Sequence, residues 1–143
     1  MVFQEEKVGF LVSTDPALLQ IDFIHRTLNQ TYWASQRTRA VVEASIRHSV
    51  CFGVYEVATK RQVGFARIVT DHATFCWVCD VVVDAGFRQR GLGKRLMAAV
   101  AAHPSMQESV ALLGTRDAHG LYEQFGFVRW EAMKRSNLAP PSS

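Results

Sequence analysis

The sequence predicts an α/β fold of the α+β kind, a mixed and mostly antiparallel sheet flanked by helices. Three observations lead there. The chain has 143 residues of which 48% are hydrophobic, a size and composition that suit one domain, 1–143, with a real core. Three strand-like segments follow one another in its middle, separated by two and then three residues, which is hairpin spacing. The last of them runs through a glycine-rich turn into a helical pattern, so strands and helices alternate from there on.

Taken in order, "KVGFLVS" (7–13) has strand composition. "STDP" then supplies turn and N-cap chemistry for a helix in "ALLQIDFIHRTLNQ" (17–30), where Ile21, Ile24 and Leu28 recur at helical spacing. "TYWASQ" breaks that pattern, and a second helix is expected over "RTRAVVEASIRHS" (37–49), with Val42 and Ile46 on one face. The three strands are "VCFGVYEVA" (50–58), "RQVGFARIVT" (61–70) and "TFCWVCDVVVD" (74–84). After the glycine turn come a helix in "GKRLMAAVAAHP" with Pro104 beyond its end, a strand "VALLGT", a helix "DAHGLYEQF", a stop at Gly126 and a strand "FVRW" (127–130). The polar, proline-bearing 135–143 is expected to be a loose tail.

Charge and cysteine usage narrow the function classes. Sixteen Lys and Arg against thirteen Asp and Glu leave a net charge of only +3, too small an excess to imply nucleic acid as a partner. No segment has the length of a membrane span, and three cysteines without a secretory signal suit reduced thiols, so the expectation is a soluble, cytoplasmic protein with no membrane partner. Cys76 and Cys79 are three apart on a strand and would face opposite ways; with no second pair and scattered histidines such as His25 and His48, no metal is proposed.

The informative stretch is "RQRGLGKRL" (88–96), four cations and two glycines directly after "VVV". A turn that opens a helix offers unpartnered backbone N–H groups and the positive end of the helix dipole, and glycine lets an anion approach the backbone. Two phosphate loops fail on named residues. Gly86 and Gly91 have P-loop spacing, but Leu92 and Gly93 occupy the places of its Lys and Ser/Thr. Gly91 and Gly93 begin a dinucleotide fingerprint that meets Leu96 at its third glycine. What remains is [Q/R]xxGxG, filled by Arg88, Gly91 and Gly93, with "LYEQFGF" some thirty residues downstream carrying LYxxxGF.

In both motifs, their order and the element order over nearly all of 7–130, the chain resembles the GNAT superfamily of acetyl-CoA-dependent N-acetyltransferases. The resemblance implies a sheet splayed at the cofactor site and a pyrophosphate held by the amides of Arg88, Gln89, Arg90, Gly91, Leu92, Gly93 and Lys94. It assigns Val81, Val82 and Val83 to the pantetheine arm, although a fully buried strand also explains three valines. Tyr122 matches the family's thiolate-protonating tyrosine; a phenol is protonated at pH 7, while its neighbours Leu121 and Phe125 equally suit core packing. For the base, Asp80 leads because a carboxylate inside "VCDVVV" is costly unless paired or functional, with Glu56, Asp71, His72 or a water chain as alternatives.

Tyr32 and Trp33 fall where the family shapes its acceptor site, or else anchor the loop. Ala85 stands where proline is frequent. Asp117 replaces an Asn and is positioned to cap its helix instead. The resemblance implies acetyl-CoA and an amine acceptor as partners, direct attack in a ternary complex, and dimers as a recurring assembly. A non-catalytic acetyl-CoA-binding regulatory module of the same fold is the alternative function.

Overall fold

The structure is a computed structural model, and it describes residues 2–136. Among these residues six strands form one sheet in sequence order: β1 (Gln4–Lys7), β2 (Phe10–Ser13), β3 (Val50–Glu56), β4 (Gln62–Thr70), β5 (Phe75–Val83) and β6 (Val110–Leu112). Every pairing is antiparallel except β5 with β6, which is parallel and connected through α3 (Leu92–Ala102) and the short α4 (Pro104–Gln107). The mixed, mostly antiparallel sheet flanked by helices is thus the architecture of this chain.

Two clusters fill the two faces of the sheet. On one, α1 (Ile21–Leu28) and α2 (Arg39–Arg47) pack Phe23, Ile24, Leu28 and Val42 against Cys51, Phe65 and Val82. On the other, Leu92, Leu96, Met97 and Val100 of α3 pack against Phe52, Val54 and Ile68. Leu96, Met97 and Val100 have no exposed surface. Each such side chain contributes about 1.5–3 kcal/mol by leaving water, which ties the helix after the glycine turn firmly to the sheet.

Local chemistry sets the element ends. The Asp15 carboxylate accepts from Ala17 N at 3.0 Å to cap a 3-10 turn at Pro16–Leu18, and Thr38 Oγ1 accepts from Val41 N at 3.2 Å to start α2. The first expected strand, 7–13, is instead the β1–β2 hairpin. Val8 and Gly9 occupy its turn with φ of 52° and 81°, the two positive values that a tight hairpin demands. Gly9 was the sequence signal for that turn.

Other departures lie near the C-terminal part. Pro104 does not merely follow a helix but opens α4 at its first position, where a missing N–H costs nothing. The last helix, α5 (His119–Glu123), is shorter than 117–125 and is not capped by Asp117: Ala118 is its N-cap residue, with its amide held by Thr115 Oγ1 at 3.0 Å. Gly126, at φ 88°, ends the turn after α5 as expected. The strand expected at 127–130 does not form, because among the described residues it has no strand beside it. Most of the expected tail, 137–143, lies outside the described residues.

Candidate active site

The site begins with a fault in β5. Phe65 pairs with Val82 and Arg67 with Cys79, so Ala66 alone faces both Asp80 and Val81: a β-bulge. Asp80 takes the left-handed conformation there, φ 57°, which aspartate tolerates better than most residues. The extra residue shifts the alternation of the strand. Cys76 and Val78 before it, and Val81 and Val83 after it, all pack on the α3 side, while Val82 joins the α1/α2 side.

Beyond this, β5 is open along one edge. Its pairing with β6 covers only Phe75–Val110, Cys76–Ala111 and Trp77–Leu112, and β6 ends there. From residue 78 to 83 the strand keeps β4 on one side and has no strand on the other among the described residues. The parted strands leave backbone donors and acceptors of 78–83 available to an extended ligand.

At the end of that open edge lies the glycine turn. Asp84 Oδ1 accepts from Gly86 N at 2.8 Å, capping a 3-10 turn at Ala85–Phe87, and Arg88 Nε donates to Val83 O at 3.3 Å. Gln89 (φ 65°) and Gly91 (φ 75°) then bend the chain into α3, whose first residue Leu92 is anchored in the core. A Cβ placed on Gly91 or on Gly93 would meet nothing within 4 Å. Crowding by the protein requires neither glycine; the positive φ favours glycine at 91, and both positions leave the backbone uncovered.

The cations of the turn divide in two. Arg95 is turned back, donating to Lys7 O at 2.7 Å and Phe10 O at 3.1 Å, and so fastens the β1–β2 hairpin to α3. Arg90 lies over the Phe87 ring at 5.0 Å. Among the described residues, Arg88, Arg90 and Lys94 have no carboxylate partner. A cleft of about 230 Å³ runs from this turn to the end of α1, bordered by Arg26, Thr27, Thr31, Val82, Asp84 and Arg88.

Asp80 has a different setting. Its side chain is wholly buried and accepts from Trp33 Nε1 at 3.0 Å, Arg37 Nη1 at 2.7 Å and Arg67 Nε at 2.6 Å; Arg67 in turn donates to Ser49 Oγ at 3.0 Å. Burial opposes the charge, but Arg67 and then Arg37 outweigh it and hold the carboxyl below its usual pKa. A carboxylate held this way is a weak proton acceptor. The geometry therefore weighs against Asp80 as the base and for a structural ion pair.

The α1–α2 connection meets the other candidates here. Tyr32 and Trp33 contact edge to face at 5.0 Å, and the Arg116 guanidinium lies 3.8 Å over the Tyr32 ring. Tyr122 packs edge to face on Phe127 at 6.1 Å. Burial first, then the neighbouring Tyr32 and Asp117, push its phenol above the ordinary value, so it stays protonated well into alkaline solution. Asp80, Trp33, Tyr32 and Arg116 thus form one chain of contacts, with Tyr122 beside Tyr32. The sequence reading missed Arg37, Arg67 and Arg116; the Asp80 partners lie 43 and 13 positions away, beyond any local motif.

The remaining base candidates lie elsewhere. Glu56 accepts from Thr59 at 2.7 Å, Asp71 closes its own turn through Ala73 and Thr74, and His72 Nδ1 contacts Ser105 Oγ at 3.0 Å. His72 borders a separate cavity of about 280 Å³ with Arg47 and His48, away from the open edge. Cys51 and Cys79, beside Arg67, are pushed up to about 12 and about 11 by burial and are thiols, not thiolates, at neutral pH.

Comparison with known proteins agrees with this arrangement. Residues 47–129, which hold β3 to β6, the glycine turn and α5, match the acetyltransferase (GNAT) domain family. The chain is 30% identical to a Gibberella zeae protein assigned as an acetyltransferase, over 91% of this chain and 87% of that one. It is 31% identical to the chloroplastic GCN5-related N-acetyltransferase 1 of Arabidopsis thaliana, over 86% and 64%. A crystal structure of a GNAT-family protein from Xanthomonas campestris pv. campestris superposes with TM-score 0.85 at 44% identity, covering 94% of this chain and 96% of the other. The fold, the open strand edge and these likenesses together place the chain in the GNAT family of acetyltransferases.

Proposed function

We propose that this acetyltransferase moves the acetyl group of acetyl-CoA directly to the nitrogen of a primary amine, with both substrates bound together, and that residues 1–143 form a single domain for this purpose. The observation that carries the reading is the uncrowded glycine turn at the end of an open strand edge. The amides of 88–94 suit a pyrophosphate, with Arg88, Arg90 and Lys94 raising the potential around it. The edge of Val81, Val82 and Val83 suits the pantetheine arm, and a backbone N–H of that edge suits the thioester oxygen, where negative charge develops.

Two further features support direct attack. Cys79 and Cys51 carry raised pKa values, which disfavours an acyl-cysteine route at neutral pH. Tyr122, held protonated by burial, is suited to give its proton to the departing thiolate. Asp80 serves as a positioning residue: through Trp33 and Arg37 it fixes the α1–α2 connection against β5. Its cluster holds two guanidiniums and one carboxylate, a positive balance that favours the neutral, attacking form of a nearby amine. Tyr32, Trp33 and Arg116 form the acceptor wall.

Acetyl-CoA binding by calorimetry, followed by thiol release against a panel of amines, tests the reading. Tyr122→Phe is expected to lower kcat by about 10²–10⁴ with coenzyme affinity unchanged. Full turnover in that variant removes Tyr122 from catalysis. Coenzyme binding without turnover on any amine would transfer the weight to a regulatory module.

A further inference from the structure

The loop that leaves β6 after Leu112 brings a cation to the acceptor side. Its course is held at two points: Thr115 Oγ1 accepts from Ala118 N at 3.0 Å, and a Cβ on Gly114 would touch the Trp77 ring at 3.9 Å. Between them Arg116 places its guanidinium 3.8 Å over the Tyr32 ring. A guanidinium resting on a ring face uses none of its N–H donors there, so the planar fork stays free. Among the described residues the Arg116 side chain forms neither an ion pair nor a hydrogen bond. Asp117, its neighbour in sequence, acts on Tyr122 instead.

The surfaces around this cation are apolar. Cys79 pairs with Arg67 and Arg67 with Cys51, which packs in the α1/α2 cluster; Trp77, two residues before Cys79, faces the same side of the sheet. Trp77 and Trp33 are 40% and 41% exposed, and Trp33 meets Tyr32 edge to face. A charge pair formed against such rings is shielded from water and stronger than one in bulk solvent. The buried carboxylate of this region, Asp80, is already taken by Arg37 and Arg67.

Resting on the acetyl-transfer reading above, we propose that the acceptor amine carries an oxyanion, a carboxylate or a phosphate, and that Arg116 is the specificity-determining residue that binds it. Two parallel N–H···O bonds from one guanidinium fit either group. Tyr32 holds the side chain in place beforehand, so little freedom is lost when the acceptor arrives. A neutral amine leaves the fork unused, and a polycationic one is repelled by it.

Matched acceptors test this by thiol release from acetyl-CoA: α- and ω-amino acids against their carboxamides, and amino-alcohol phosphates against the free amino alcohols. In the wild type, kcat/KM is expected to be about tenfold to a hundredfold higher for the charged member of one series, the range of a charge-assisted hydrogen bond. The series that shows it identifies the oxyanion. Arg116→Gln should remove the preference, Arg116→Glu invert it and Arg116→Lys keep part of it. Every pair is measured in every variant, so differences in amine basicity cancel; circular dichroism and acetyl-CoA calorimetry check that fold and coenzyme site are kept. Transfer without preference in either series, or a preference that Arg116→Gln retains, overturns the proposal and leaves the transfer reading standing. Coenzyme binding with no turnover on any amine, charged or neutral, instead sinks the transfer reading and this inference with it.

Discussion

Positive charge gathers at both ends of the second half of β5, and the two gatherings obey opposite rules. At the glycine turn, Arg88, Arg90 and Lys94 stand at the surface without carboxylates, over backbone amides that are themselves open. At the bulge, Arg37 and Arg67 are drawn in around one buried carboxylate that also takes the Trp33 indole. The first is charge without a carboxylate partner among the described residues; the second is charge already satisfied. Clustering of cations therefore says little until the partner of each is named.

The largest expected effect comes from breaking the inner cluster. Asp80→Ala leaves two guanidiniums without their counter-charge, which should cost about 3–5 kcal/mol in chemical denaturation. The Asp80 pKa is lowered by folding, so its stabilisation is complete above the ordinary carboxylate range near 4 and is lost as the pH falls through the lower folded value. The wild type should accordingly lose stability in acid more steeply than the variant. Equal stability of the two proteins at neutral pH would make the cluster ornamental.

Next comes the backbone of the outer cluster. Gly93 lies within the first turn of α3, with an ordinary φ and open space around its missing Cβ. Gly93→Leu should hold or raise the melting temperature, since leucine favours a helix over glycine by roughly 0.5–1 kcal/mol. Acetyl-CoA affinity should nevertheless fall about tenfold or more, a loss of about 1.4 kcal/mol. Retained affinity would mean that the ligand does not approach this backbone. The smallest effect is expected at Arg90→Ala, about fivefold or less in coenzyme affinity, as befits a screened surface charge, and diminishing further at high salt. A reversal of the Gly93 and Arg90 order would make charge, not backbone, the principal ligand contact.

The contrast also explains what the sequence made legible. The glycine turn is a local object: the strand, the bend and the helix start occupy consecutive residues, so their pattern survives in one dimension. Element order did too, because hairpin spacing and helical periodicity are short-range signals. Asp80 was visible only as a charge out of place in an apolar strand. Its partners come from the α1–α2 connection and from β4, and its orientation depends on a bulge that no spacing rule announces. The 127–130 segment failed as an expectation for a related reason. Its residues have strand character, but a strand exists only by virtue of a neighbour, and composition does not provide one.

The bulge has a consequence for changes in chain length. In a regular ladder, losing one residue from within a strand turns every later side chain to the opposite face unless the whole pairing slips. Here β5 already carries one residue more than β4 between two registered pairs, and Val82 and Val83 still lie opposite Phe65 and Gly64. Deleting Asp80 would therefore straighten the strand and leave Val82 and Val83 opposite Phe65 and Gly64 on their present faces, while removing the carboxylate that Arg37 and Arg67 share. What the extra residue of β5 supplies is therefore the buried carboxylate itself, since the strand would keep its register without it.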